Sequence, residues 1–288
     1  ALGRLVYTNN PAGGAARGAG PPQVTFALES VMDMLAEKVG MDPVKFRKIN
    51  SLLPGQSVST GMVYEQWPFP ELCDAIQPRY EQARKEAANF KKGHIKRGVG
   101  IGTHAFGIGG PGDTGRVVVE LDPDDGITIF AAVADPGEGN DSMLTQIASH
   151  LSGIPMNKIR LVTRDTDHTS EMGPAAASRM TYMAGGSLVL ALEQLRKAME
   201  EAGTNTYDGL KKAGKETRYM GSKKADGKEG PLDPVTGQGP SFESRVHAIQ
   251  MAEVEVNTDT GEVRVIKMTT AVDAGKVINP HNLEGQLH

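Results

Sequence analysis

The sequence predicts an α+β fold in two subdomains: a helical N-terminal part, residues 1–92, and a second part, 98–288, rich in strand hairpins and long helices. Three observations predict it. Apolar residues recur at helical spacing through the first ninety or so positions. From Gly98 the pattern changes to short β-branched runs separated by Asp- and Gly-containing turns. The length, 288 residues, suits two domains of roughly 150 residues each.

The elements follow in order. Leu2-Gly-Arg-Leu-Val-Tyr7 is a short strand-like run with no leader before it. Val24, Leu28, Val31, Leu35 and Val39 share one face of a helix over 24–39, and Gly40 suits the position just past its end. Asp42-Pro43 opens a short helix, with Asp as N-cap and Pro at the first position. Residues 53–68 read as loop. A helical pattern returns over about 70–91, with a break at Pro78. It ends in the basic run Lys91-Lys-Gly-His-Ile-Lys-Arg97, a solvated linker between the subdomains. Val117–Leu121, a turn over 122–126 and Ile127–Val133 form a hairpin. A helix follows Gly137-Glu-Gly-Asn-Asp141 and closes at Gly153; Ile159–Val162 is a strand. Gly173-Pro-Ala-Ala-Ala-Ser178 opens a long helix to about Glu201. Gly185 and Gly186 inside it cost stability unless something packs very close. Residues 203–240, polar and Gly/Lys-rich, read as a surface excursion. Ala248–Val256 and Val263–Val272 form a second hairpin.

Composition narrows the function. Hydrophobic residues make up 39 % and charged residues 23 %, enough for a sizeable core in a soluble chain. A net charge of −4 gives no argument for nucleic acid or a membrane surface as partner. No run of about 20 apolar residues and no signal peptide appear, so the expected location is cytoplasmic. The lone cysteine, Cys73, excludes an internal disulfide framework and fits a reducing compartment. It also excludes an iron–sulfur cluster held by this chain alone, which takes four cysteines as a rule.

One device repeats. Small-residue turns run into helix starts at 13–24, 137–142 and 173–178, with a fourth candidate at 279–286. Such a turn presents backbone N–H groups and a positive helix end to a ligand. Arg17 adds a fixed charge to the first. Each turn taken singly is equally a plain surface loop. The set of three suggests one extended ligand with phosphate or many heteroatoms. Other motifs fall short. Gly107-Ile-Gly-Gly-Pro-Gly-Asp-Thr114 lacks the lysine of a P-loop, and Asp165–Glu171 lacks the glycine of a calcium loop. The seven histidines are scattered, and Met32, Met34, Met180 and Met183 read as core filler.

The ordered set resembles the molybdenum hydroxylases, the family of xanthine dehydrogenase and aldehyde oxidoreductase. Thr8-Asn-Asn-Pro followed by Ala15-Ala-Arg-Gly-Ala-Gly-Pro-Pro-Gln23 is similar to the family's arginine–glycine loop. Gly137-Glu-Gly139 falls where its members have Gly-Gln-Gly. Gly173-Pro-Ala-Ala-Ala-Ser-Arg179 resembles the loop beside the molybdenum, and Asp273–Pro280 with Glu284-Gly-Gln286 resembles the approach to another cofactor-binding turn. The match runs over essentially the whole chain and lies closer to bacterial aldehyde oxidoreductases than to purine-oxidising members.

The resemblance implies a molybdenum–molybdopterin cofactor, often carried in bacteria as a cytosine dinucleotide, with the metal held by the pterin dithiolene and by no protein side chain. It implies oxidation of aldehydes or N-heterocycles with water as oxygen source. Iron–sulfur clusters belong on another domain or subunit, and the partners are that unit, the remainder of the large subunit and a small-molecule substrate. Ala16, Arg17 and Gly18 would lie near the metal's oxo ligands, and Gly137, Glu138 and Gly139 would reach an oxo group from the other side. Ala176, Ala177 and Ser178 would wall the site, with Arg179 and Gln286 toward the pterin or its phosphates.

The departures are informative. Glu138 replaces the family's glutamine; a carboxylate there needs a proton or a partner. Ala16 and Ala19 stand where aromatics are frequent, and Gly109-Gly-Pro111 adds none, so a flat purine finds no sandwich. The family's catalytic glutamate sits in a Gly-Val-Gly-Glu turn. The two Gly-Glu pairs here, Gly137-Glu138 and Gly261-Glu262, lack that context. The resemblance therefore implies an excised piece or half of a split subunit, with the base outside the chain and no turnover alone. The alternative is a cofactor-free scaffold or assembly module that keeps the fold.

Overall fold

The computed structural model describes residues 6–11, 13–14, 17–18, 20–110, 112–225, 232–239 and 241–288. The chain divides into two compact units. One comprises 1–51, 73–104 and 249–269, the other 52–72, 105–248 and 270–288. The sequence expectation drew a single crossing at 92–98; these units interleave along the chain instead. The fold class is α+β, as the sequence predicts, with 3-stranded and 4-stranded sheets.

In the first unit, helix α1 (Pro21–Lys38) is followed by α2 (Pro43–Ile49). Asp42 caps α2 by accepting from the N–H groups of Val44 and Lys45 at 3.0 and 3.1 Å. Gly40, just past α1, takes φ +67, as its position requires. Between the helices lies a buried charge network. Arg47 is 2 % exposed and its Nε donates to Glu29 Oε2 at 2.8 Å. Its Nη1 sits 2.7 Å from Asp33, and Nη2 reaches the Glu29 carbonyl at 3.2 Å. Glu29 also accepts from Thr103 N and Thr103 Oγ1 at 2.8 and 2.9 Å. Both charges are thus paired and hydrogen-bonded, the condition for burying them.

Helix α3 (Phe69–Asn89) runs unbroken through Pro78, against the expected break. Pro78 is exposed, and so is Asp74, whose carbonyl loses its helical donor there, so water can satisfy it. The basic run after α3 is not a solvated linker throughout. Lys92 bridges back to Ile95, where β1 (Ile95–Ile108) begins. Arg97 lies in that strand, donates to Glu255 at 2.9 Å and stacks 4.0 Å over the Phe90 ring. Strand β1 belongs to a three-stranded sheet, β1-β6-β7, with β6 (Ser244–Asn257) and β7 (Val263–Asp273), the hairpin read from the sequence.

In the second unit, β2 (Thr114–Leu121) and β3 (Ile127–Phe130) form the expected antiparallel hairpin, with Val119 opposite Ile129. Strand β4 (Ile159–Val162) joins β3 in parallel, and the sheet order is β4-β3-β2-β5. Helices α4 (Asn140–Ser152) and α5 (Gly185–Ala202) share one core with it. Val117, Val119, Leu121, Ile127 and Ile129 from the sheet meet Leu144 and Ala148 of α4 and Leu188, Leu192 and Leu195 of α5. The surface excursion expected over 203–240 is corrected. Its middle forms α6 (Tyr207–Lys212) and β5 (Arg218–Lys224), a sheet strand paired antiparallel with β2. Its inner side carries Tyr219, Gly221 and Lys223 and its outer side Met220, so hydropathy does not alternate along it and a periodicity reading passes over it. Its inner Gly221 lies so close to α5 that any Cβ would strike the Ser187 carbonyl. Gly185 is explained the same way: a Cβ there would sit 3.1 Å from Ile147 Cδ1. Among the described residues, no helix is long and apolar enough to cross a membrane.

Candidate cofactor-binding site

The turn at 135–141 leads into α4. The N–H groups of Gly137, Gly139 and Asp141 in it are taken by a side chain. Asp135 Oδ1 accepts from Gly137 and Gly139, both at 3.0 Å, and Oδ2 accepts from Asp141 at 3.3 Å. Burial opposes the charged carboxyl, but the N–H groups of Gly139, Gly137, Asp141 and Asn140 outweigh it and hold the group below its usual value. The anion-binding device read from the small residues is therefore occupied by the chain's own carboxylate. The Asp-x-Gly-x-Gly spacing was the available signal. Asn140 is buried and its Nδ2 donates to the Ala134 carbonyl at 2.8 Å and to Glu138 Oε1 at 2.7 Å. Glu138, half-buried, thus has a neutral amide as partner.

A second predicted turn is brought to the first. Asn279 caps α7 (Pro280–Leu287) by accepting from Asn282 N at 3.2 Å. Asn282 Nδ2 donates to the Glu138 carbonyl at 3.3 Å. It fills the space where a Cβ on Gly139, at φ +86, would fall. Gln286 lies farther along α7, on its exposed side.

The third turn leaves its donors without partners among the described residues. Ala177 and Ser178 both adopt left-handed backbone, φ +53 and +56, a conformation costly for residues other than glycine. Ala176, Ala177 and Ser178 are exposed, and their N–H groups make no hydrogen bond among the described residues. Arg179 next to them points inward and is 4 % exposed. Its Nε donates to Asp113 at 2.9 Å, Nη1 to the Met172 carbonyl at 2.5 Å and Nη2 to the Thr114 carbonyl at 2.6 Å. The side chain the resemblance turned toward pterin or phosphates is instead the anchor that holds the strained turn. A π-helical turn, Met180–Ala184, then carries the chain into α5.

Ser178 also lines a cavity of about 800 Å³ within this unit, together with Thr181, Tyr182, Lys223, Arg245 and Lys276. Tyr182 donates to Glu243 at 2.5 Å, and Lys223 Nζ lies 4.4 Å over the Tyr182 ring. Two polar atoms of lining residues, Gln146 Oε1 and Arg245 Nε, are buried without a hydrogen-bond partner among the described residues. Such atoms call for a ligand or water. A pterin, with donors and acceptors along its edges, fits the cavity's own polar lining of Ser178, Thr181, Lys223 and Lys276. The sequence reading did not single out Gln146, Lys223, Arg245 or the Tyr182–Glu243 bond, since they come from separate elements with no common motif.

The loop before α1 belongs to the other unit. Pro21 and Pro22 fill the first helical positions and carry no N–H. Gln23 N and Val24 N both turn to the Gly20 carbonyl, at 3.1 and 3.4 Å. The first turn of α1 is therefore no anion cradle, which corrects the expectation and was legible in Pro-Pro. Arg17 is exposed and Gly18 takes φ +102, where a Cβ would meet Pro22 Cγ at 2.8 Å. Ala16 and Ala19 lie outside the described residues.

The other sequence motifs resolve structurally. The P-loop-like segment supplies Asp113 to Arg179 and packs Gly107 against Phe242. Asp165 accepts from Asp167 N and His168 Nδ1 at 2.9 and 2.8 Å, a local turn. Among the described residues no group of three or more His, Cys, Asp or Glu is placed to hold a metal. Burial pushes the Cys73 thiol up to about 11, so it is no reactive thiolate.

An α+β domain with an exposed turn of unpaired N–H groups beside a mainly apolar cavity carrying a few polar side chains has the form of a cofactor-binding domain. The chain belongs to the molybdopterin cofactor-binding domain family, matching one model of it over residues 75–288 and a second over residues 1–51. It is 38 % identical over 294 aligned residues to the aldehyde oxidoreductase of Megalodesulfovibrio gigas, covering 100 % of this chain and 32 % of that protein. It is 28 % identical to a putative xanthine dehydrogenase molybdenum-binding subunit of Escherichia coli strain K12, covering 99 % of this chain and 41 % of that protein. The solved aldehyde oxidoreductase from Desulfovibrio gigas matches with TM-score 0.90 and 37 % identity, over 95 % of this chain and 31 % of that one. The chain is thus a molybdopterin-binding domain of the molybdenum hydroxylase type, spanning about a third of the length of the aldehyde oxidoreductases it matches.

Proposed function

We propose that the chain is the molybdopterin-holding part of a molybdenum hydroxylase that oxidises aldehydes or N-heterocycles with water as the oxygen source. The observation that carries this reading is the exposed turn Ala176–Ser178, its N–H groups without partners among the described residues, with Ser178 on the wall of a cavity that Thr181, Lys223 and Lys276 also line, in a chain that matches aldehyde oxidoreductase throughout. Bound there, the molybdopterin supplies a two-electron redox centre whose metal is held by the dithiolene. The chain's own residues bind and orient it. The N–H groups of Ala177 and Ser178 face the cofactor, with Arg179 fixing their backbone from behind. Gln146, Lys223 and Arg245 meet its polar edge and phosphate. Gly137, Glu138 and Gly139 present a turn held rigid by Asp135, and Ala16, Arg17, Gly18 and Gln286 are the further cofactor contacts that the family pattern supplies.

A cytosine dinucleotide tail, iron–sulfur clusters on another domain or subunit, and a cytoplasmic location complete the proposal. The general base is a carboxylate outside residues 1–288. Metal and pterin analysis of the native assembly tests the reading: molybdenum together with pterin fluorescence after acid denaturation is expected. Absence of both establishes the cofactor-free scaffold instead. Assay of aldehydes against purines with an artificial acceptor then identifies the substrate class, and the isolated 288-residue protein is expected to give no turnover.

A further inference from the structure

The turn Ala176–Ser178 does not support itself. Ala177 and Ser178 take left-handed backbone in succession, and the backbone hydrogen bond across them, Arg179 N to the Ala176 carbonyl, is long at 3.3 Å. What holds the backbone is the Arg179 side chain beneath it. Its guanidinium ties three segments together through the Met172 and Pro174 carbonyls at 2.5 and 3.4 Å, the Thr114 carbonyl at 2.6 Å and the Asp113 carboxylate at 2.9 Å. Gly173, at φ +74, admits it, since a Cβ there would lie 3.0 Å from Nη1. Among the described residues Asp113 is the one carboxylate that pairs with Arg179. A guanidinium 4 % exposed needs that counter-charge to remain buried. Asp113 is itself well fixed. Its N–H donates to the Gly110 carbonyl at 3.0 Å, and its carbonyl accepts from Ala225 N, just past β5, at 2.8 Å. The glycine-rich run over 107–114 therefore cradles no phosphate; it delivers a carboxylate to a second loop.

We propose that Asp113 is the positioning residue of this cofactor-binding turn; the proposal rests on the cofactor reading above. Acting through Arg179, Asp113 holds the backbone of Ala177 and Ser178 in its strained form before the cofactor arrives. Their N–H groups then meet the cofactor already aligned, and binding does not have to order the turn. Without the carboxylate, Arg179 is a buried charge bonded only to carbonyls. It leaves its socket for water, and the two left-handed residues relax. The competing role is plain stability, in which the ion pair strengthens the unit as a whole and the turn gains nothing in particular. The two roles differ in where the damage falls when Asp113 is changed.

Arg179 is also a trypsin site that its burial protects, so the socket can be read directly. The native assembly is prepared free of cofactor, from cells that make no molybdopterin, and digested briefly. Asp113→Asn is expected to be cut after Arg179 about tenfold faster than wild type, with the new peptide ends identified by mass. From cells that do make the cofactor, the same variant is expected to carry less than about a fifth of the wild-type molybdenum and pterin per polypeptide. Leu195→Ala, in the core farther along α5, is the control for general destabilisation and is expected to stay within about twofold of wild type in both readouts. Should Asp113→Asn not assemble, Asp113→Glu, which keeps the charge on a longer arm, is expected to show the same two changes to a smaller extent. Equal effects from the Asp113 variant and Leu195→Ala, or an Asp113 variant with wild-type molybdenum and pterin, overturn the proposal and leave the cofactor reading standing. A wild-type assembly without molybdenum and pterin sinks the cofactor reading itself.

Discussion

Helices α1 and α5 are each 18 residues long, and both carry a clear apolar face in sequence, yet they use that face in opposite ways. In α5 it is the core: Leu188, Ala191, Leu192, Leu195 and Ala198 are buried against the sheet of the second unit. In α1 the apolar face looks outward and the buried residue of consequence is a glutamate. The same periodicity thus marks a helix in both places. Which side meets the rest of the chain is set by what the neighbouring elements offer. A sheet of Val and Ile receives α5; a guanidinium from α2 receives α1.

The comparison can be broken by measurement. The largest effect is expected for Arg47→Ala, which strands Glu29 as a buried unpaired charge and costs about 3–5 kcal/mol in urea unfolding. A cost well under 1 kcal/mol would mean that charge does not fasten α1. Leu188→Ala, in the α5 face, should cost about 2–5 kcal/mol through lost burial and a residual cavity. The contrast extends to helix starts, since α4 begins on a carboxylate where α1 begins on prolines. Asp135→Ala leaves the N–H groups of Gly137, Gly139 and Asp141 without their acceptor and should cost about 1–3 kcal/mol. The sign of its pH dependence follows from the lowered folded value. The contribution is complete above the unfolded carboxyl value of about 4 and is lost as pH falls through the folded one. The gap between wild type and Asp135→Ala should therefore close in acid. Leu28→Ala, on the α1 stripe, should change stability by no more than about 0.5 kcal/mol. A loss comparable to that of Leu188→Ala would show that the stripe is covered within this chain.

Much of the site was legible because its signals are local. The left-handed Ala177-Ser178 turn sits in the small-residue run that marked it, and Asn279 caps α7 in the fourth turn. Two readings failed for reasons that were equally local. Pro21-Pro22 removes the donors that a helix start normally offers, and Asp135 occupies those of the 137–141 turn. Arg179 was read outward on resemblance, but its carboxylate partner Asp113 and carbonyl partner Thr114 come from more than sixty positions away. Strand β5 was missed because its burial is decided by the helix above it, not by alternation of its own residues.

By itself the sequence determined the α+β class, most of the helices, the two hairpins, the small-residue turns and the family they resemble, because helix and strand periods, caps and glycine turns act over a few residues. Only the tertiary structure decided which turns keep their N–H groups open, that Arg179 serves as an anchor, that Gln146 and Arg245 meet at one cavity, and which way α1 faces. Those outcomes depend on charges and backbone groups brought together from distant segments, and no local pattern encodes which partner arrives.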